Sequence, residues 1–381
     1  MVKSFPLVKV FGIEIRVDLT WAFAFGVILW SLGTYYFPNE YDTMSVLDAW
    51  TLALAVTVFL YFSIVAHELG HSLVSKKLGV DVKVITLFIV GGLAHLEQEP
   101  DKARNELAIA LTGPLVSLGL ALLFGVLVLA GEANVGVKLV AFGRWLALAN
   151  LSLALFNLLP GFPLDGGRAL RAVIWSLTGS FERATKVAGF MGQAVAFGLM
   201  SWGGLQIFDG HIANGFWVVL IGWFLYRASI QSMANAALKS GLADLTVREI
   251  IRSNGHVVPP TMSLEQLLRE VALPTGEKWF PVSGGGKIIG VITLEEVQSI
   301  DRVRRGSTTV GQTMKMIHEL PAISPDEGVY KAFERMVKEN LSLLQVAEDG
   351  IWLGSVTKER ILTTWSVQSS LQPLKGKMQK R

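Results

Sequence analysis

The alternation of apolar and polar positions divides this chain in two. Apolar runs long enough to cross a bilayer, roughly 20 residues each, fall near 18–37, 49–75, 105–130, 139–160, 187–207 and 213–235. The fourth and fifth of these are interrupted by polar residues. Lysines and arginines gather on alternate sides of the runs: Lys3, Lys9 and Arg16 before the first, Lys76, Lys77, Lys83, Lys102 and Arg104 after the second, and Arg168, Arg171, Arg183 and Lys186 after the fourth. The intervening loops, "YYFPNEYDTMS", "GEANVGVK" and "FDGHIAN", carry a single Lys138 between them. Because positive charge is retained on the cytoplasmic side, both termini are expected there.

From about residue 240 the pattern changes to short segments of mixed charge, so a soluble domain is expected. It is written twice. "LTVREIIRSNGHVVPPTMSLEQLLREV" is echoed by "TTVGQTMKMIHELPAISPDEGVYKAFERMV", and "WFPVSGGGKIIGVITLEEV" by "LLQVAEDGIWLGSVTKERI". Each copy reads as a short helix, a Pro-bounded extended segment, an amphipathic helix, two strands and a final helix. The predicted layout is a membrane domain over 1–240, two α/β modules over 244–303 and 304–366, and a basic tail over 367–381.

Composition supports the division. Of 381 residues 51% are hydrophobic and 17% charged, with a mean hydropathy of +0.46, a balance too apolar for an ordinary soluble enzyme. Cysteine is absent, which excludes disulfides and thiolate chemistry and leaves His, Asp and Glu as metal ligands. The net charge of +3 is small and scattered, so nucleic acid is not an expected partner. The first residues lack a compact signal sequence with a cleavage site, and the first span is expected to be retained.

Against this apolar background the stretch "VAHELGHSLV", residues 65–74, stands out. Residues four apart share a helix face, so His67 and His71 are placed to chelate one metal, with Glu68 beside them to take and return a proton. The alternative is a pair of histidines hydrogen-bonded within a polar bundle interior. A catalytic zinc needs a third protein ligand, and Asp165 in "NLLPGFPLDGGRAL" is the best candidate. Its alternative is an N-cap on a helix starting near Gly167. Asn157, earlier in the same stretch, carries an amide able to donate to an oxyanion or to a neighbouring helix.

These motifs, "HELGH", "TGPLVSL" at 112–118 and "NLLPGFPLDGG" at 157–167, resemble the site-2 protease family of intramembrane zinc metalloproteases. The resemblance implies one Zn2+ per chain on His67, His71 and Asp165, Glu68 as catalytic base, and Asn157 as a substrate or oxyanion contact. It implies that residues 82–96, "VKVITLFIVGGLAHL", form a strand-rich loop whose edge, around Gly91 and Gly92, pairs with an unwound substrate. The alternative is a β-hairpin at the membrane surface. Gly113-Pro114 reads either as part of this machinery or as a helix kink.

The C-terminal repeat resembles a pair of cystathionine-β-synthase (CBS) modules, which implies an adenine nucleotide as a regulatory ligand, with Thr293 and Glu296 as contacts. The equivalent positions of the second copy, Thr357 and Arg360, depart from the family pattern, since an arginine accepts no hydrogen bond and is suited to a phosphate instead. The alternative is a module pair used for dimerisation and gating. His95 is read as an interfacial hydrogen-bonding residue or a transient ligand, and His211, His256 and His318 receive no role.

The expected fold is a polytopic α-helical membrane protein, about six transmembrane helices with a membrane-associated β-hairpin, followed by a soluble α/β CBS pair. The expected function is cleavage of transmembrane segments in a single-span regulatory protein, such as an anti-sigma factor or a membrane-held transcription factor. The expected setting is a bacterial inner membrane, with homo-oligomers formed through the CBS modules. Two rivals stand beside this: a CBS-regulated transporter or channel, which internal duplication of the membrane half would favour, and a protease-derived scaffold without activity.

Overall fold

A computed structural model describes residues 4–88, 91–96, 100–134, 136–251, 255–348 and 351–378. The chain forms two compact units, Met1–Ala236 and Ala237–Arg381. The boundary between them falls inside a single helix.

The first unit opens with an antiparallel hairpin, β1 (Ser4–Val10) and β2 (Ile13–Asp18). Asp18 caps α1 (Leu19–Ser31) by accepting from the Thr20 amide at 2.8 Å. A π-helical turn then leads into α2 (Phe37–Glu40), and Ser45 caps the 32-residue α3 (Val46–Lys77). Next come β3 (Val82–Phe88) and β4 (Gly91–Leu96), followed by α4 (Ala103–Asn134), α5 (Val137–Asn157), α6 (Asp165–Thr178), α7 (Phe181–Phe208) and α8 (Ile212–Leu242). The four strands make one sheet in the order β1-β2-β3-β4, with β2 and β3 parallel and β4 at an edge.

Residues 82–96 therefore form an antiparallel hairpin within a larger sheet, with Ile89 and Val90 outside the described residues. The sheet's inner face, Ile13, Ile15, Val82, Ile85 and Leu87, packs on Trp21 of α1 and on Ile64, Val65 and Leu69 of α3. That packing fixes the sheet against the turn of α3 that carries the HELGH stretch.

Of the six apolar segments, four form helices long and apolar enough to cross a membrane among the described residues: Leu19–Glu40, Val46–Lys77, Ala103–Leu129 and Val137–Asn157. The other two lie on α7 and α8, which are equally long but diluted by Gln193, Ser201, Asn214 and Arg227. Among the described residues, length and composition thus mark four of the six expected spans. Large apolar side chains such as Phe62, Leu122 and Leu129 are exposed along the spans, where water would not be tolerated and lipid is. The molecule is an integral membrane protein.

In the second unit the sequence repeat and the folded halves do not coincide. The first copy gives α9 (Val247–Ile250), then α10 (Leu264–Gln266), which runs through a π-helical turn into α11 (Leu273–Thr275), then β5 (Trp279–Gly284), β6 (Lys287–Thr293) and α12 (Leu294–Ser299). The second gives α13 (Val310–Thr313), β7 (Lys315–Met316), β8 (Ala322–Ile323), α14 (Val329–Lys338), β9 (Leu343–Glu348), β10 (Ile351–Thr357) and α15 (Lys358–Met378).

One core gathers Val247 and Ile250 of α9 with Val329, Met336, Leu344 and Val356 of the second copy. The other gathers Val310 of α13 with Leu264, Phe280, Val282 and Ile292 of the first. Each copy sends its opening helix into the other's core, because a helix of four residues cannot bury its apolar side chains alone. The division at residue 303 marks the repeat, and the folded halves cross it. The segment read as a basic tail continues α15 to Met378, and its last residues, 379–381, lie outside the described part.

Candidate active site

The HELGH stretch lies in the last third of α3, where His67 and His71 are buried on the side that meets α4. Gly70 permits this approach: a Cβ there would come within 2.9 Å of Val116 Cγ2 and 3.3 Å of Thr112 Cγ2. Gly113 does the same one turn away, since a Cβ in its place would run into His71 Nε2 and lie 2.7 Å from His67 Nε2. The glycine of "TGPLVSL" therefore keeps the space at the two imidazole nitrogens open, a clearer role than a kink, although Pro114 does sit inside α4.

Asp165 reaches the same point from α6. It is the first residue of that helix; the N-cap is Leu164 and Asp165 makes no cap. The approach depends on the glycines that follow. A Cβ on Gly166 would collide with the carbonyls of Leu158 and Leu159, and one on Gly167 with the backbone of Gly161. The segment 158–164, which contains a cis Phe162–Pro163 bond, thus lies directly on the first turn of α6. Arg171, further along α6, is buried and ion-paired with the fully buried Glu106 of α4, its Nε 2.7 Å from Glu106 Oε1. The guanidinium carbon also lies 5.0 Å from the Phe162 ring centre and 4.6 Å from that of Phe181, so one side chain ties α6 to α4, to the preceding loop and to α7.

The result is a convergence of three ligand atoms. His67 Nε2 and His71 Nε2 are 3.3 Å apart and lie 3.2 and 3.1 Å from Asp165 Oδ2. Partners on the far sides of the rings bear on the tautomers. His71 Nδ1 donates to the Ile109 carbonyl at 2.7 Å, and His67 Nδ1 lies 2.9 Å from Ser117 Oγ. A carbonyl only accepts, so His71 Nδ1 carries a proton, and the Ser117 hydroxyl is able to accept in the same way from His67; with both Nε2 atoms deprotonated, three acceptors would face one another. That arrangement calls for a cation. Tetrahedral zinc with ligands at about 2.0–2.1 Å separates its ligand atoms by about 3.3 Å, which the observed spacings match. Among the described residues, His67, His71 and Asp165 are the group able to hold a metal ion.

Glu68 flanks this centre, half-buried, with Gly92 of β4 against it: a Cβ on Gly92 would come within 2.5 Å of Glu68 Cγ and 3.3 Å of Oε1. The edge strand thus passes directly over the carboxylate. Gly91 pairs with Phe88 and Gly92 with Leu87. Asn157 closes α5, half-buried, and its Nδ2 donates to the Leu153 carbonyl of its own helix at 3.0 Å. No hydrogen bond joins it to the triad among the described residues. His95 lies on β4, opposite Val84, with its side chain outside the described part. Sequence pattern gives Ser117, Glu106 and Arg171 no role in the site, and of these only Ser117 falls inside a quoted motif; Gly113 is singled out there together with Pro114.

The second unit holds a cleft of about 500 Å³ to which both copies contribute, lined by residues that include Lys278, Trp279, Thr293, Asn340, Thr357 and Lys358. Thr293 lines it and Glu296 does not. Glu296 Oε2 accepts from the Thr293 amide at 2.6 Å and from its hydroxyl at 2.9 Å, while Oε1 pairs with Lys315 Nζ at 2.9 Å. The Oε2 contacts are a capping box at the start of α12, so the Glu296 carboxylate, expected as a nucleotide contact, is engaged within the protein at both oxygens. At the equivalent position of the second copy, Arg360 donates through Nε to the Ile250 carbonyl at 3.4 Å and lines a smaller cavity of about 300 Å³.

A buried two-histidine, one-carboxylate centre with a free carboxylate alongside, set among helices long enough to span a bilayer, defines an integral membrane metallohydrolase. Residues 55–136 and 125–199 match the model of peptidase family M50, and residues 247–300 and 310–366 match that of the CBS domain. The chain is 30% identical over 357 residues to the putative zinc metalloprotease sll0528 of Synechocystis, covering 93% of each chain. It is 30% identical over 377 residues to the putative zinc metalloprotease Rip3 of Mycobacterium tuberculosis, covering 98% of this chain and 95% of the relative. Among solved structures, the site-2 protease from Methanocaldococcus jannaschii is 29% identical, with 61% of this chain and 95% of that one covered and a TM-score of 0.41. The chain belongs to peptidase family M50, the site-2 protease family of zinc metalloproteases, and carries a CBS pair at its C-terminal end.

Proposed function

We propose that His67, His71 and Asp165 hold one zinc ion, that Glu68 is the general base, and that the substrate is the transmembrane segment of a single-span regulatory protein, of the anti-sigma-factor or membrane-held transcription-factor kind. The observation that carries the reading is the convergence of three potential ligand atoms, two imidazole Nε2 and one carboxylate oxygen, at 3.1–3.3 Å beside a half-buried glutamate. Zinc, when bound there, supplies a Lewis acid that acidifies water and polarises the scissile carbonyl.

The protein's own groups supply the rest. Glu68 takes the proton of the attacking water and passes it to the leaving amine, so that one carboxylate serves as base and then acid. Ser117 and the Ile109 carbonyl hold the two imidazoles in the orientation that presents Nε2. The edge strand β4, bare of a side chain at Gly92, receives an extended substrate segment by β-addition, with Gly91 and Gly92 leaving room for its backbone over Glu68. A helical substrate hides its carbonyls in its own hydrogen bonds, so residues that weaken the helix near the cut favour cleavage. Asn157 retains one amide hydrogen for a substrate contact.

The setting follows from charge and packing. Helices α7 and α8 are assigned to the membrane as a closely packed pair. A Cβ on Gly203 would lie 2.7 Å from the Gly215 carbonyl, and one on Gly222 2.8 Å from the Ala196 carbonyl, the small-residue contact common between membrane helices. Both termini are then cytoplasmic, in a bacterial inner membrane, with the CBS pair governing activity, assembling homo-oligomers and binding an adenine nucleotide in the cleft that includes Thr293. A cysteine at Gly79 labelled only from the cytoplasmic side checks the orientation. The enzyme reading is tested by reconstituting the chain with a single-span substrate: Glu68→Gln is expected to reduce cleavage to background, and wild-type rates in that variant would refute the mechanism.

A further inference from the structure

Asp165 enters the site from a segment without helix or strand, residues 158–164, and that segment is held by α7 and α8. Phe162 donates its backbone N–H to the Ala188 carbonyl of α7 at 3.2 Å. One turn further along α7, Gly192 lies so close to the segment that a Cβ on it would collide with the Phe162 carbonyl. Leu164, the residue immediately before Asp165, is buried in a small core with Ala196 of α7 and Leu225 of α8.

Helix α8 is fixed against the same part of α7. Leu225, Ser229 and Met233 are four residues apart, hence on one face of the helix. The buried Ser229 hydroxyl donates to the Gly189 carbonyl at 2.8 Å, and a Cβ on Gly189 would run into the Met233 side chain. A single turn of α7, residues 188–192, therefore meets both α8 and the segment that carries Asp165. The two histidines share one helix, so their relative placement is set by α3 itself. The third ligand arrives on a different segment, and its place depends on what packs there.

We propose that Leu225 and Ser229 of α8 are positioning residues for Asp165. They hold Leu164 and the 188–192 turn of α7 where the Asp165 carboxylate comes to 3.1–3.2 Å from the two imidazole nitrogens. The proposal rests on the reading that Asp165 is a zinc ligand. A ligand must be kept within about 0.5 Å of its productive place to bind well, and these contacts reach to within one residue of it. Because α8 also enters the second unit, the third ligand is held by a helix that the membrane domain shares with the C-terminal pair.

The test uses full-length protein in detergent and reads zinc affinity by competition against a calibrated chelator, with the unfolding temperature measured in parallel. Leu225→Ala combined with Ser229→Ala is expected to weaken zinc binding about tenfold, the lower end of the loss seen when groups that orient a ligand are removed. Leu225→Met, which refills the space, should bind within about twofold of wild type. Leu146→Ala is the control for general loosening, since Leu146 is fully buried in a separate core that includes residues of α3, α4 and α5. It should lower the unfolding temperature while leaving zinc affinity within about twofold of wild type. A cycle with the ligand itself gives the sharpest readout. In Asp165→Ala, where His67 and His71 remain, adding the two α8 substitutions should change the residual affinity by less than about twofold, because they act through a carboxylate no longer present.

A folded double variant that binds zinc within about twofold of wild type would overturn the proposal, as would an equal loss in Leu146→Ala or an undiminished further loss in the Asp165→Ala background. If the double variant does not fold, Ser229→Ala alone decides: about threefold weaker binding is expected, the size of one interhelical hydrogen bond in a membrane protein, and wild-type affinity would refute the role. Full zinc binding by Asp165→Ala would instead remove the reading on which the proposal rests, and the proposal with it. Loss of zinc there, with no effect of the α8 variants, sinks the proposal and leaves that reading intact.

Discussion

At His67 and His71 the ring nitrogens turned away from the centre matter as much as those turned toward it. Ser117 Oγ and the Ile109 carbonyl meet the two Nδ1 atoms at 2.9 and 2.7 Å, and such outer partners fix the tautomer and direction of a ligand. Replacing Ser117 by alanine should therefore weaken zinc binding about 10–100-fold without removing a ligand, measured by competition against a calibrated chelator; an unchanged affinity would make the contact incidental. The ligands themselves are legible in the sequence, because two histidines at helical spacing and a carboxylate among glycines are conspicuous in an apolar chain. Ser117 is legible only as a member of a longer motif, since nothing in local periodicity says that residues 50 positions apart will touch, and Gly113, singled out with Pro114, shows its place beside the imidazoles only in the structure. For the same reason Glu296 reads as a ligand contact from its place after a strand, whereas its carboxylate is used to cap the next helix.

At the scale of elements, the site depends on α6 being held against α4 while α4 is held against α3. The buried Glu106–Arg171 pair forms the first link. Removing one partner of a buried ion pair leaves an uncompensated charge and costs about 3–5 kcal/mol, while replacing both by apolar residues is often close to neutral. Arg171→Met alone should thus lower the unfolding temperature in detergent and weaken zinc binding as Asp165 drifts, and Glu106→Met combined with Arg171→Met should recover much of the stability. Single variants as stable as wild type would show that the pair does not anchor the helix.

The helices are well forecast by hydrophobic runs, with α1 beginning at Leu19 and α5 ending at Asn157 close to the expected positions. The β1–β2 hairpin is not forecast. Its seven-residue first strand exposes most of its length, so it lacks the alternation of a strand with one buried face. The strands of residues 82–96 are anticipated through the family resemblance, but their pairing with β2 joins distant segments and leaves no local mark.

For the whole molecule, the division into an apolar half and a repeated soluble half is plain in the sequence, and the structure places the boundary at Ala236 and Ala237. What the repeat conceals is that its halves exchange their opening helices, because two similar copies offer similar cores and the pattern does not say which core each helix enters. The unit boundary inside α8 makes that helix the covalent route by which the CBS pair would act on the membrane domain. If the pair governs activity, a chain ending at Ser240 should cleave at a rate different from the full-length protein, and adenine nucleotides should alter the full-length rate alone, by no more than their differential affinity for its states. Equal rates and indifference to nucleotide would leave the pair a role in assembly.

The central claim is that one zinc ion is held by three named side chains, and metal content of the purified protein tests it most directly. Wild type and Glu68→Gln should each carry one zinc per chain, and His67→Ala, His71→Ala and Asp165→Ala should lose it while remaining folded; a folded Asp165→Ala protein that keeps its full zinc content would contradict the account.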